Sequence, residues 1–306
     1  MGEARVRFLG RTGILTLMAL LGAMRGNAHE IVPVPHQTPP PIQSSARVAP
    51  APDVTPARDA ALDATESLVG RAIFIRNGYA GGELTYDVLG HVRGAPKQLD
   101  WTLAGADIEK VERRSAAELE LDGVRVALRY NPEQHVFERH PQKDQKLKVL
   151  LAVNDAARGL QGALATIFAV GIDPGLQRAM PPHWRHYFSP GLAWPSDDLT
   201  GQPVVALSAP VAGVEMPAIE KRVEPGFTGE ARQDRVKGVV GLKLTVGADG
   251  VPRRIAIRQP LGYGLDESAV QAVAKYRFRP GRKDGQPVAV EMLVNQTFDY
   301  YPPPRP

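Results

Sequence analysis

Apolar and polar positions divide this chain into stretches of different period. Between residues 66 and 190 the segments "AIFIRNGY", "GELTYDVLG", "LDWTLAG", "IEKVERR", "AELELDG" and "VRVALRY" alternate partly, and Gly, Asn, Asp or Pro separates them. That period of two predicts an antiparallel β structure. After "KLKVLLAV" (146–153) the period lengthens: Leu160, Leu164, Ile167 and Phe168 recur at helical spacing until Gly171 and Pro174 end the run. A β-rich domain with one or two helices is expected over residues 66–195.

A second alternation begins near Val239. Val240, Leu242, Leu244 and Val246 give a strand with one buried face, and Asp249-Gly250 signals a hairpin turn. Ile255 and Ile257 carry the return strand, and Pro252 must lie at its start or face outward, because proline donates nothing to a ladder. Helical spacing follows in "GLDESAVQAVAKYRFRPG": Asp266 is the expected N-cap, and Leu265, Ala269, Val273 and Tyr276 form an apolar stripe. Pro280-Gly281 is the expected stop, with Lys275 and Arg277 near the negative end of the helix dipole. In the last segment Val288, Val290, Met292, Val294 and Phe298 mark one face of a strand, and Glu291, Leu293, Asn295 and Thr297 the other. The order strand, strand, helix, strand makes the fold class α+β, with one helix covering a small antiparallel sheet.

The flanking segments lack such periods. Arg5, Arg7 and Arg11 precede the uncharged run Thr12 to Met24, and Gly26-Asn27-Ala28 then offers small residues where a signal peptidase reads. Cleavage after Ala28 and export are expected; the alternative is that residues 1–28 stay as a short membrane anchor. The thirteen residues of the run fall short of the roughly 20 that span a bilayer as a helix. Residues 29–65 hold eight prolines between Pro33 and Pro56, which favours a semi-rigid polyproline II spacer. Residues 196–222 read as a shorter linker, in which Asp197-Asp198 look like solvated acids, and residues 301–306 as a Pro-rich tail.

Composition narrows the chemistry. With no cysteine among 306 residues, disulfides, thiolate metal sites and cysteine nucleophiles are excluded. No Gly-x-Ser-x-Gly elbow, phosphate loop or His-Glu-x-x-His is present, so no enzyme, cofactor or metal is expected. His183 and His186 would share a helix face, but no third ligand lies near them in sequence, and the aromatic residues around them favour packing. His135 and His140 are expected at a strand end or loop. The basic excess sits at the C-terminal end, where residues 220–306 hold fifteen Lys and Arg against ten Asp and Glu. Arg277, Arg279, Arg282 and Lys283 form its densest cluster. These cations are not interleaved with stacking aromatics, so nucleic acid is not an expected partner.

The C-terminal pattern resembles a known family. "EPGFTGEAR", then "GVVGLKLTVGADGVPRRIAI", "GLDESAVQAVAKYRFRPG" and "GQPVAVEMLVNQTF" follow one another over residues 223–300 in the order and spacing of the C-terminal domain of TonB, the energy transducer of Gram-negative envelopes. Two positions depart from the usual pattern: Phe227-Thr228 stands in place of an aromatic-Pro pair, and Tyr276 often corresponds to Trp. The resemblance implies a periplasmic protein whose last strand, Val288 to Phe298, pairs with a short peptide of an outer-membrane TonB-dependent receptor. The pairing residues it implies are Val288, Val290, Glu291, Met292, Leu293, Val294, Asn295, Gln296 and Phe298. It further implies inner-membrane motor proteins as partners if the N-terminus is retained. A homodimer through the same edge, an edge covered by the chain's own upstream segment, and a cleaved, diffusible binding or scaffolding module are the alternatives.

Overall fold

Most of the alternating segments of the N-terminal half pair into one six-stranded sheet, whereas "LDWTLAG" folds into a 3-10 turn at Trp101–Leu103. In a computed structural model residues 59–154, 159–206 and 212–299 are described; the expected leader, the tail and the spacer up to residue 58 lie outside them. The strands are β1 (Ile73–Ile75), β2 (Glu83–Tyr86), β3 (Gly105–Ser115), β4 (Glu118–Asn131), β5 (Val136–Ala152) and β6 (Phe168–Val170), in the order β2-β5-β4-β3-β1-β6. Every neighbouring pair is antiparallel except β2 with β5. Leu119, Leu121, Val149 and Leu151 point from β4 and β5 into a core closed by Leu164 and Ile167.

Two boundaries differ from the sequence expectation. Residues at the end of the expected spacer form α1 (Ala60–Glu66): the Asp59 carboxylate accepts from the Ala61 and Leu62 amides and pairs with Arg113 of β3. A cap plus a docked ion pair suffices to start a helix where composition suggested an extended chain. α2 (Leu160–Ile167) ends one residue before the apolar pattern does, because Phe168 leaves it to pair with Ile75 as the first residue of β6.

α3 (Pro174–Ala179) and α4 (Pro182–Phe188) follow, each with proline in its first turn. Trp184 of α4 is fully buried, its ring 5.0 Å from Trp101 in an edge contact, and its indole N–H donates to Asp100 at 2.8 Å. His183 and His186 are buried in the same packing, and His186 stacks on Trp194 at 3.6 Å. His135 occupies the turn between β4 and β5.

The stretch expected as a linker, 196–222, supplies three short strands: β7 (Val204–Val205), β8 (Val214–Glu215) and β9 (Ala218–Lys221). After α5 (Gly229–Gln233) come β10 (Gly238–Val246), β11 (Pro252–Gln259), α6 (Leu265–Val273), β12 (Arg277–Arg279), β13 (Gly281–Lys283) and β14 (Gln286–Phe298). The expected trio makes up one end of the second sheet, ordered β11-β10-β14-β13-β8, with β7 beside β14; β12 and β9 form a separate pair.

The segments 66–195 and 223–300 share one hydrophobic core. Phe74, Trp101, Leu128 and Trp184 belong to the same buried cluster as Val240, Leu242, Leu265, Tyr276 and Phe298. Backbone joins them too: the Tyr130 amide donates to the Leu261 carbonyl at 3.0 Å, and the Tyr263 amide to the Leu128 carbonyl at 2.8 Å.

Candidate strand-pairing edge

The β10–β11 hairpin follows from its sequence. Val240, Leu242, Leu244 and Val246 are all buried, and Gly250 takes a φ of 76° in the turn, a conformation open to glycine. Pro252 is the first residue of β11, where its missing N–H costs least. A bulge interrupts the ladder opposite Lys243–Thr245, and Arg254 within it has a φ of 49°. Such a bulge re-aims side chains. Here it sends Arg253 and Arg254 toward Asp198 and Asp197.

α6 presents Leu265, Ala269 and Val273, each fully buried, to the sheet, with Tyr276 just beyond. Its N-cap is Gly264 and not Asp266. Asp266 lies inside the first turn, fully buried, where its carboxylate accepts from the Leu261 amide at 2.8 Å and the Gly262 amide at 2.7 Å. The carboxylate therefore braces the loop before the helix rather than the helix end. α6 stops at Val273, before Pro280, because residues 277–279 are captured as β12 by β9 and the Phe278 amide donates to Gly250.

Electrostatics mark the seam between α6 and the N-terminal segment. Burial, and then the nearby Asp100 carboxylate, push Asp266 up to about 8. Burial also raises Asp100, although Thr102 and Trp184 donate to it and oppose the shift. Glu267 behaves differently: burial acts upward on it, but the His183 hydrogen bond and charge, with Gln271, leave it below the usual carboxylate range. His183 Nε2 lies 2.7 Å from Glu267 Oε2. The acidic neighbour absent from the local sequence of His183 is thus supplied by α6.

β14 holds the implied pairing residues. Along one side β10 pairs with it from Val290 to Phe298, in register Val246↔Val290 through Gly238↔Phe298. On the other side β13 takes Gln286–Val288, and β7 lies parallel to Ala289 and Val290. Among the described residues no strand pairs with that side of Met292–Phe298. Val288 and Val290 therefore sit where internal strands already pair, whereas Met292, Leu293, Val294, Asn295, Gln296 and Phe298 line the open part; Glu291 lies at the junction, 2.9 Å from Lys243. Val294, Gln296 and Phe298 turn inward and are buried, and Leu293, 53% exposed, turns outward with Asn295 and Thr297. Gln296 donates to the Tyr276 hydroxyl at 2.5 Å, and Phe227 meets the Phe298 ring edge-on at 5.3 Å.

The basic cluster divides over two strands. Arg277 and Arg279 stand on β12, opposite Lys221 and Ala218, and Arg282 and Lys283 on β13, opposite Glu215 and Val214. All four are exposed, and Phe278 between the first two is buried.

Sequence reasoning missed the segment Asp197–Ala206. Arg254 forms a bidentate pair with Asp197, at 2.8 and 2.7 Å, and Arg253 joins Asp198 to Asp249. The Arg254 hydrogen bonds hold Asp197 down to about 2. The local signal was slight: two adjacent acids, and a Val-Val pair behind Pro203.

Residues 223–300 match the family described as Gram-negative bacterial TonB protein C-terminal. The solution NMR structure of the Pseudomonas aeruginosa TonB CTD aligns with 33% of this chain and 96% of its own at 23% identity, with a TM-score of 0.22. No curated protein matches the chain. The family match thus identifies residues 223–300 as a domain of the TonB C-terminal type within the 306-residue chain.

Proposed function

We propose that this chain is a periplasmic TonB-like protein that binds an extended peptide of an outer-membrane receptor by adding it as a strand beside Met292–Phe298. The observation that carries the reading is the one-sided pairing of β14: β10 fixes one side through nine register pairs, and the other side of Met292–Phe298 meets no strand among the described residues. An edge of that kind offers unpaired N–H and C=O groups to a peptide. Backbone hydrogen bonds then supply affinity, and alternate side chains supply selectivity: Leu293, Asn295 and Thr297 present one face to the newcomer, and Met292 borders the other. α6 and the shared core keep β14 in place, so little ordering is spent on the receiving side.

The test is a titration of the isotopically labelled full chain with synthetic peptides from the N-terminal extensions of receptors of the same organism. Amide shifts confined to residues 291–298 support strand addition; shifts confined to other residues, or none, reject it. Concentration-dependent protection of those amides without peptide identifies a second copy as the occupant. The N-terminal residue in envelope fractions decides whether motor proteins enter: a start at His29 in the soluble fraction gives a diffusible module, and an intact N-terminus in the inner membrane gives a tethered transducer.

A further inference from the structure

The side of β14 assigned to a partner is already occupied at one end by this chain itself. β7 is two residues long, runs parallel to β14 at Ala289 and Val290, and leaves Val204 and Val205 only half-buried. Pro203, directly before it, has no backbone N–H to add to the ladder. What fixes the segment lies beyond β7, in the Asp197–Arg254 and Asp198–Arg253 ion pairs, all four residues bearing on the β11 bulge. Asp197 also folds the turn, accepting from the Leu199 amide at 3.1 Å and the Thr200 hydroxyl at 3.2 Å, and Leu199 is buried beneath it. Arg254 takes left-handed backbone to make its pair, a conformation that a non-glycine residue holds only where the surroundings impose it.

We propose that residues 197–206 are a detachable strap that competes with the partner strand for β14. Clasped, the strap confines a partner to the edge beyond Val290. Released, it frees Ala289 and Val290, and the added strand lengthens by two residues. The arrangement suits release, because a two-residue parallel ladder and partly exposed ion pairs open locally without unfolding the core, and Leu199 is the one side chain of the strap that release uncovers from burial. The inference rests on the strand-addition reading of the same edge, and its test separates the two.

The probe is a synthetic peptide with the strap's own sequence, DDLTGQPVVA, added in excess to the full chain. Two variants open the strap by different routes: D197N/D198N removes the clasp, and V205P alters the ladder itself. In both, exchange of the one amide of Ala289 and Val290 that donates toward β7 is expected to rise at least tenfold over wild type, while its neighbour and residues 240–246 keep their protection, which shows that the fold survives. Added peptide is expected to restore protection at that amide in the variants and to leave wild type unchanged. Equal exchange at that amide in wild type and both variants overturns the proposal, as does a peptide that protects neither variant. Those results leave receptor-peptide shifts at 291–298 untouched; loss of those shifts alone removes the strand-addition reading and leaves the strap's opening scored by exchange.

Discussion

Gly262 lies so close to Leu128 that a Cβ added to it would stand 2.1 Å from the Leu128 carbonyl oxygen, and its φ is 94°. The contact is the backbone seam between the N-terminal sheet and the loop that enters α6, where the amides of Tyr130 and Tyr263 are both engaged. Only a residue without a side chain allows it. Gly262→Ala is therefore expected to destabilise the chain by about 2–4 kcal/mol, through a displaced seam and a strained left-handed backbone. Urea unfolding of the two proteins measures it.

Stability should fall as pH rises from about 5 to 8. Asp266 is held near 8 when folded, against 3.8 for the free side chain, and Asp100 is raised as well. Over that window the folded chain keeps protons that the unfolded chain has lost, so rising pH favours unfolding. Below about pH 4 the sign reverses, because Asp59, Asp197 and Asp249 are each held down to about 2 and their contribution is lost as they protonate. Asp266→Asn should flatten the neutral limb, at a cost of roughly 1–3 kcal/mol for the backbone amide left without an acceptor. Thermal unfolding at about pH 3, 5, 6.5 and 8 reads both limbs and the effect of the substitution.

Leu293 and Val294 are neighbours on β14 with opposite fates. Leu293 is 53% exposed and Val294 is 5% exposed. Leu293→Asp should change stability by no more than about 0.5 kcal/mol, as exposed substitutions do, and weaken receptor-peptide binding about tenfold. Val294→Asp should unfold the C-terminal sheet by burying a charge. Calorimetric titration of the first and circular dichroism of the second separate a binding role from a packing role.

His183→Ala should cost roughly 1–2 kcal/mol, because it strips the partly buried Glu267 of its 2.7 Å partner. Glu267 should then titrate at higher pH than in wild type, having lost the hydrogen bond and charge that hold it down. Carboxyl-carbon NMR titration of Glu267 follows the change directly. Unchanged titration would exclude His183 as its partner.

The elements with strong local period were legible: the β10–β11 hairpin, the apolar stripe of α6 and the alternation of β14 all appear where residue spacing places them. Elements created by long-range pairing were not. Ala218–Lys221 has no strand period of its own and becomes β9 because Arg277–Arg279 offers it a ladder. Asp197 and Asp198 look solvated until Arg253 and Arg254, more than fifty residues later, are set beside them. Asp266 carries an N-cap's residue type, but the left-handed Gly264 moves the helix start and buries the carboxylate. The same holds for the edge: its far face was legible from alternation, whereas its occupation at Ala289 and Val290 depends on a segment far upstream.

The ladder between β10 and β14 also has a mechanical meaning. Its nine register pairs run antiparallel along the strand that would receive a partner. A peptide seated beside Met292–Phe298 and drawn along its own axis loads that ladder in shear, so its rungs share the tension rather than parting one after another. The load then passes from β10 into the core common to both halves of the chain. A grip of this geometry resists traction along the strand and yields to peeling across it, which makes the direction of pull, and not only the strength of binding, a property of the fold.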